Sequence, residues 1–209
     1  MIRKIYSLLL KHYGKQNWWP GNRFEIVISA ILTQNTRWEN VEKSLENMRR
    51  KGIDSFKKIL ELDDGALKEL IRPSGFYNQK AERLKILSEY MESQGGLEKL
   101  FSKNKHKLRK ELLALKGIGP ETADSILLYA GDKLIFPIDA YTKRFWKRFF
   151  GEEKTYHELQ EIFHKELPRD LEAYKEMHAL IVELCKNHCK KRPLCDSCPL
   201  SEHCKKITD

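Results

Sequence analysis

The chain has 209 residues, of which 41% are hydrophobic and 33% are charged, and its formal net charge is +9. This length fits one medium domain or two small ones. No apolar run is long enough to cross a bilayer, since Ser29 interrupts the stretch from Ile26 to Leu32, and a membrane-spanning protein is therefore excluded. The first residues lead directly into an amphipathic pattern, so we expect no signal peptide and a cytoplasmic location.

The excess of basic residues has two interpretations. Lys and Arg side chains that neutralise phosphates gain affinity through counterion release, which favours a polyanionic partner. Charged residues that crowd helix surfaces for solubility give the same composition. Composition leaves both open, and the motifs must decide between them.

Apolar residues recur with helical spacing along most of the chain, and no segment shows convincing strand alternation. The first pattern includes Ile5, Leu9 and Tyr13 and is broken by the segment Trp19-Pro20-Gly21-Asn22. A helix capped by Asp63-Asp64 runs to Ile71. Further helices are predicted over residues 23–33, 38–51, 54–61, 78–93, 105–115, 120–130, 140–150, 155–165 and 170–188. The sequence therefore predicts an all-α protein.

All the cysteines lie near the C-terminal end, at positions 185, 189, 195, 198 and 204. Disulfides are rare in cytosolic proteins, and Cys189, Cys195, Cys198 and Cys204 offer four thiolates to a metal centre. Their spacing leaves zinc and a 4Fe–4S cluster equally open. Cys185 ends an apolar helical pattern and is interpreted as a small buried hydrophobe.

Two glycines separate two helical patterns in the segment Leu115-Lys116-Gly117-Ile118-Gly119-Pro120. Exposed backbone amides beside a helix N-terminus can hold a phosphate, although an ordinary helix–helix turn gives the same pattern. Further along, Asp139 follows an apolar run at the start of a helix with a basic face. An N-cap role and a chemical role are both open for this carboxylate.

These motifs together resemble the endonuclease III superfamily of helix-hairpin-helix (HhH-GPD) DNA glycosylases, and the resemblance covers most of the chain. It is carried by the segments Phe24-Glu25, Ser29-Ala30-Ile31-Leu32-Thr33-Gln34-Asn35-Thr36, Gly75-Phe76-Tyr77-Asn78-Gln79-Lys80-Ala81, Leu115–Ala123, Ile138-Asp139, His178-Ala179-Leu180-Ile181-Val182 and the cysteine loop. The gap from Cys189 to Cys195 encloses five residues where the family has six.

The resemblance implies a two-domain all-α fold with a DNA cleft between the domains. One domain, residues 24–132, would be a six-helix barrel containing the helix-hairpin-helix at about 106–130. The other, residues 1–23 plus 133–209, would carry the catalytic Asp139 and a cluster loop at 185–204. A 4Fe–4S cluster would be held by Cys189, Cys195, Cys198 and Cys204. The expected partner is double-stranded DNA containing damaged bases, bound by a monomer.

One departure from the bifunctional members of the superfamily bears on the reaction. These members place a catalytic lysine two residues after the second hairpin glycine, where this chain has Glu121. A carboxylate cannot form a Schiff base, and Lys116 lies before the hairpin and is poorly placed to substitute. The sequence therefore predicts a monofunctional glycosylase in which water displaces the base.

Other residues resemble the 3-methyladenine glycosylase branch of the superfamily. That branch has a tryptophan pair followed by proline, as in Trp18-Trp19-Pro20, and an aromatic residue after the Gln-Asn-Thr motif, as at Trp38. Known forms of that branch commonly lack the cluster, so this chain combines features of two branches. A glycosylase for oxidised pyrimidines or mismatched uracil and thymine, a non-catalytic DNA-binding module and a zinc-stabilised structural protein remain alternatives.

The resemblance also assigns roles. Asp139 would stabilise the sugar cation or activate water, and Glu121 would bond to the base. Trp18, Trp19 and Trp38 with Pro20 would form the base pocket, although Trp18 and Trp19 could instead close the hydrophobic core. DNA contacts are expected from Gln34, which would enter the duplex, and from Lys116, Gly117, Ile118 and Gly119, which would hold the strand backbone. His178 is interpreted as a structural histidine, and Lys80, Arg83 and Lys85 as a solvated charged face.

Overall fold

A computed structural model describes residues 1–207 of the chain. The helices are α1 (Ile2–Tyr13), α2 (Arg23–Leu32), α3 (Trp38–Arg50), α4 (Phe56–Glu61), α5 (Asp64–Ile71), α6 (Tyr77–Ser93), α7 (Leu97–Ser102), α8 (Lys105–Leu113), α9 (Pro120–Ser125), α10 (Ala140–Phe150), α11 (Tyr156–Glu166) and α12 (Leu171–Asn187). A 3₁₀ turn covers Arg72–Ser74, and a π-helical turn covers Ile126–Ala130. Residues 1–207 contain no strand, which confirms the all-α prediction.

Most helix bounds agree with the predicted ones to within a few residues. The short helix α7 was not predicted, because a six-residue segment carries too little periodicity to recognise. The predicted helix over 120–130 is α-helical only to Ser125 and continues as the π-helical turn. Among the described residues, no helix combines the length and the apolar character needed to cross a bilayer.

The described chain divides into two compact units. The larger runs from Trp19 to Asp132, and its core is built around α2. All seven residues from Ile26 to Leu32 are buried, as expected for a helix that is apolar on every side. A capping box fixes its start, because Asn22 accepts from the Glu25 amide at 2.9 Å and the Glu25 side chain bonds back to the Asn22 amide.

The basic run on α6 belongs to this core, and its prediction as a solvated face is wrong. Lys80 is 1% exposed, and its Nζ donates to the carbonyls of Leu32 at 2.8 Å and Ser74 at 2.6 Å. Burial, followed by the nearby Arg83 charge, lowers the pKa of Lys80 to about 8. The half-buried Lys85 donates to the carbonyls of Leu60 and Leu62. Both lysines bond to carbonyl groups at or near helix ends, which sequence periodicity does not reveal.

The other unit comprises Met1–Trp18 and the described residues from Lys133 onward. Here α1 packs on α11 and α12, and α10 packs on α12. The rings of Phe136 and Phe163 stack with centroids 4.2 Å apart. The side of α12 that faces this core carries the buried residues Met177, His178, Leu180, Ile181, Leu184 and Cys185.

Candidate active site and DNA-binding hairpin

The glycine segment forms the tight connection between α8 and α9. Gly117 has φ +83°, a conformation that side chains disfavour, and Ile118 is buried beside it. Gly119 has φ −89° and is the N-cap of α9, whose first residue is Pro120. The hairpin is therefore held by one buried side chain and one left-handed glycine, with the start of a helix directly after it.

Gln34, from the loop after α2, is bonded to this hairpin. Its Nε2 donates to the Gly117 carbonyl at 3.2 Å and to the Thr122 hydroxyl at 3.0 Å. Arg83 donates from Nη1 to Gln34 Oε1 at 2.5 Å. The Gln34 amide, predicted to enter a duplex, is thus engaged inside the larger unit. Arg83, which was predicted to be solvated, belongs to the same network.

The charged residues around the hairpin differ in exposure. Glu121 is exposed at the second position of α9. Asp124, one turn later, is fully buried and receives two bonds from Arg109, at 2.6 and 3.1 Å. Lys116 is exposed and lies 2.6 Å from a Glu82 carboxylate oxygen. Asp124 therefore anchors α9 in the core, whereas Glu121 is accessible to a ligand.

An aromatic cluster lies in the same unit. The Trp19 indole N–H donates to the Ser29 hydroxyl at 2.8 Å, which fixes the ring on α2. Trp38 meets Trp19 edge to face at 5.6 Å, and Tyr129 lies 5.2 Å from Trp19 between ring centroids. The structure thus brings two of the predicted pocket residues together. It adds Tyr129, which the sequence analysis missed because it lies in the π-helical turn.

Asp139 occupies the start of α10 in the other unit and is 8% exposed. Its Oδ1 accepts from the Thr142 amide at 2.7 Å, so the predicted N-cap is present. Its Oδ2 lies 3.5 Å from Nε2 of the buried His178 on α12. Burial raises the pKa of Asp139, but the interactions with His178 and Thr142 outweigh it and hold the pKa below its ordinary value. The carboxylate is therefore charged at neutral pH.

Trp18 packs against this pair rather than with Trp19. Its ring lies 5.5 Å from the His178 ring with a tilt of 33°. The segment before it is fixed by the buried Glu176, whose carboxylate accepts from the amides of Gln16 and Asn17, each at 2.7 Å. The adjacent Trp18 and Trp19 thus contact different partners, one on α12 and one on α2.

The cysteine segment lies against α10 in the same unit as Asp139. Arg144 donates from Nε to the Cys189 carbonyl at 2.8 Å, and the buried Arg148 donates to the Lys191 carbonyl at 3.2 Å. Arg148 also lies 3.7 Å from the Cys189 sulfur. The Cys185 thiol, followed by Arg148, lowers the pKa of Cys189 to about 6. These neighbours therefore favour the thiolate form of Cys189.

The four predicted ligand cysteines line one cavity of about 30 Å³, shared with Arg148 and His188. Cys185 is buried beneath the loop with its sulfur 3.6 Å from the Tyr141 carbonyl, in agreement with its expected role. Within residues 1–207, no set of three or more His, Cys, Asp or Glu side chains is grouped so as to hold a metal ion. The thiols thus share a space without converging on one point, and the 4Fe–4S cluster stays a prediction.

Phe76 is a further surface feature that the sequence analysis did not single out. It is 63% exposed, has φ +48° and precedes α6. An exposed aromatic side chain on strained backbone is uncommon and marks a candidate contact residue. The sequence does carry a sign of this exposed residue: in the motif Gly75-Phe76-Tyr77-Asn78, a large apolar residue follows a glycine at a helix start.

Comparison with known proteins identifies the family. Residues 28–169 match the HhH-GPD superfamily base excision DNA repair proteins, which is well over half of the chain. The chain therefore belongs to this superfamily, as the motifs predicted. It is a base excision repair DNA glycosylase, an enzyme that cleaves the bond between a base and its sugar in DNA.

Two curated relatives span almost the whole chain. A provisionally named DNA repair glycosylase of Methanocaldococcus jannaschii is 53% identical, with 98% of this chain and 96% of the relative covered. Endonuclease III of Thermotoga maritima is 31% identical, with 98% of this chain and 92% of the relative covered. Both support the assignment to the superfamily, and they carry different names within it.

Solved structures extend the comparison. The H. pylori 3-methyladenine DNA glycosylase bound to 1,N6-ethenoadenine is 38% identical, covers 88% of this chain and 95% of its own, and has a TM-score of 0.76. A non-covalent endonuclease III–DNA complex is 23% identical, covers 98% of this chain and 94% of its own, and has a TM-score of 0.83. The fold is therefore that of endonuclease III.

Proposed function

We propose that this DNA glycosylase releases alkylated bases, with 3-methyladenine as its substrate, by hydrolysis and without a covalent amine intermediate. The observation that carries the proposal is Glu121, exposed at the second position of α9 where a lysine would serve a lyase. The similarity to the H. pylori 3-methyladenine glycosylase supports the choice of substrate.

The aromatic cluster suits a cationic base. Methylation at N3 places a delocalised positive charge on adenine, and an indole face attracts such a charge by roughly 0.5–2 kcal/mol. Trp19 and Trp38 supply these rings, and the bond to Ser29 holds Trp19 in place. A base flipped out of the duplex would stack there, with Pro20 beside it and Glu121 bonding to its exocyclic amine. Trp18 does not belong to this cluster, because its ring packs on His178.

Asp139 supplies the chemistry at the sugar in this proposal. The methylated base leaves as a neutral molecule, so the positive charge passes to the sugar as the glycosidic bond breaks. A charged Asp139 carboxylate stabilises that cation and accepts a proton from the attacking water, whose oxygen bonds to the sugar carbon. Its depressed pKa keeps the carboxylate charged before the reaction begins.

The hairpin and two neighbouring loops would hold the DNA. Backbone amides of Gly117 and Gly119 suit a phosphate of the damaged strand, with Lys116 beside them. The buried Ile118 holds the turn through its amide bond to the Leu115 carbonyl. The exposed Phe76 ring suits the space that a flipped base leaves in the stack. Gln34 acts in the proposal by supporting the hairpin through its bond to the Gly117 carbonyl.

We also propose that Cys189, Cys195, Cys198 and Cys204 hold a 4Fe–4S cluster. All four thiols face the same cavity, and the buried Arg148 beside Cys189 offsets the negative charge of thiolate ligands. Such a cluster, when bound, would cross-link the cysteine loop through four metal–sulfur bonds. Protein purified without oxygen should be brown and contain iron and sulfide, whereas colourless protein with stoichiometric zinc would refute the cluster.

A panel of duplexes tests the substrate, each carrying one lesion: 3-methyladenine, thymine glycol, or uracil or thymine in a mismatch. Each reaction is scored for free base, for strand cleavage and for an adduct trapped with borohydride. The proposal expects free 3-methyladenine without cleavage or trapping. Efficient release of thymine glycol with strand cleavage would refute it and favour the endonuclease III-like alternative, to which the 31% identical relative points.

A further inference from the structure

The buried His178 lies beside Asp139, and the proposed chemistry gives this histidine no role. The two carboxylate oxygens have separate partners: the Thr142 amide donates to Oδ1 at 2.7 Å, and His178 Nε2 lies 3.5 Å from Oδ2. The first contact caps α10 and comes from its own first turn. The second comes from α12, so it ties the carboxylate to a different helix.

The His178 ring is itself held between aromatic rings. The Trp18 ring lies 5.5 Å away, and the Phe136 ring meets His178 edge to face at 5.9 Å with an interplanar angle of 87°. Phe136 is immobilised by its stack on Phe163. The imidazole therefore has little freedom to turn away from Asp139.

The position of Trp18 depends on a second buried carboxylate. Glu176, two residues before His178 on α12, accepts from the amides of Gln16 and Asn17. Asn17 has φ +49°, a left-handed conformation that asparagine adopts more readily than most residues, and the chain turns there. Glu176 thus holds the segment that places the Trp18 ring against His178.

We propose that His178 is a positioning residue for base release, which holds the Asp139 carboxylate in its charged form and in one orientation. The inference rests on the proposed function in taking Asp139 as the carboxylate that acts at the sugar. Other titratable groups face this site: Cys185 lies on α12, and Tyr156 of α11 is bonded through its hydroxyl to the Ile138 amide at 3.3 Å. The contact at Asp139 Oδ2 comes from the ring of His178.

The first test is a direct titration of Asp139, which needs no activity. The side-chain carbonyl ¹³C resonance, assigned by its loss in Asp139→Asn, is followed with pH in the parent, His178→Phe and His178→Gln. Phenylalanine keeps an aromatic ring beside Trp18 but removes the nitrogen that lies 3.5 Å from Asp139 Oδ2, so the titration midpoint should rise by about one pH unit or more. Glutamine keeps an N–H donor, so its midpoint should fall between the other two.

A matched control is His164→Gln. His164 accepts from the Phe136 amide at 2.9 Å and stacks on Tyr174, yet it is not among the groups that interact with Asp139. Its substitution should leave the Asp139 midpoint unchanged. Thermal unfolding of each variant shows that the comparison is made on folded protein.

The second test is the pH profile of base release under single-turnover conditions. In His178→Phe, the acidic limb of the rate profile should shift to higher pH by the same amount as the Asp139 titration midpoint. The inference is overturned if the Asp139 midpoint in His178→Phe equals that of the parent. It is also overturned if the midpoint shifts but the acidic limb of the rate profile does not. If Asp139→Asn keeps full base release, the proposed catalytic role fails and the inference fails with it. Loss of activity in Asp139→Asn with an unchanged midpoint in His178→Phe overturns the inference alone.

Discussion

The side chain of Arg83 occupies the space beside Gly117 that a Cβ atom would need: a Cβ built at Gly117 would lie 2.4 Å from Arg83 Nε. The same guanidinium donates to Gln34, which in turn donates to the Gly117 carbonyl. The hairpin is thus fixed from both sides by α6 and by the loop after α2. The glycine is required both for its φ of +83° and for this close approach.

Gly117→Ala should therefore destabilise the protein and weaken DNA binding. A left-handed conformation costs a non-glycine residue about 1–3 kcal/mol, and the contact with Arg83 adds to it. Adding Arg83→Ala should recover part of the stability by opening the space. Gly119→Ala is the matched control, since its φ is −89° and its Cβ would meet no atom within 4 Å. Equal losses of unfolding free energy for the two alanine variants would contradict the account.

Lys80→Met tests the buried amine. Methionine keeps the volume but leaves the carbonyls of Leu32 and Ser74 without their lysine donor, so we expect a loss of about 2 kcal/mol in the free energy of unfolding. In Lys85→Met, water can replace the lost donor because the site is half-buried, and the loss should stay below about 1 kcal/mol. Chemical denaturation gives both numbers, and a Lys80→Met protein as stable as Lys85→Met would refute the role of Lys80.

Glu121→Lys tests why strand cleavage is expected to be absent. A lysine at this position places an amine where the lyase members of the superfamily have theirs, so borohydride should trap an enzyme–DNA adduct that the parent does not form. Glu121→Gln is the control: it should form no adduct and should slow base release roughly tenfold, through loss of one charge-assisted bond. Trapping by the parent protein would show that another lysine acts as a nucleophile.

The depressed pKa of Asp139 predicts a particular acid sensitivity. A carboxyl group whose pKa is lower in the folded than in the unfolded protein adds stability above the unfolded value, near about 4, and this stability is lost as the pH falls through the folded value. The stability of the parent relative to Asp139→Asn should therefore decrease between about pH 5 and pH 2. Denaturation across this range measures it. In a His178→Phe background the decrease should be smaller, and an equal decrease would argue against the pairing.

The sequence predicted the helices well, because helical spacing and capping residues such as Asn22 and Asp63 are local signals. The family resemblance also grouped Trp19 with Trp38, and their rings lie 5.6 Å apart. The sequence failed for Lys80, because a lysine in a charged run gives no local sign that its amine is buried and reaches the carbonyl of Leu32, 48 residues away, as well as that of Ser74. The partners of Trp18, Gln34 and His178 were likewise beyond local pattern, since each depends on how separate helices pack.

The cysteine loop is a second case in which the sequence predicts which residues act together but not how they are used. Spacing identified four candidate ligands, and the structure places all four on one cavity. Neither spacing nor packing specifies what binds there, because one set of thiols serves zinc and iron alike. The burial of Arg148 against the loop depends on how α10 packs and has no local signal in the sequence.

The most direct test of the central claim is single-turnover release of 3-methyladenine from a defined duplex by the parent protein and by Asp139→Asn. Binding of both proteins to a duplex with an abasic-site analogue is measured alongside. The account predicts free 3-methyladenine from the parent, a loss of at least about a hundredfold in Asp139→Asn, and binding within a few-fold of the parent. No release of 3-methyladenine by the parent, or undiminished release by Asp139→Asn, would contradict it.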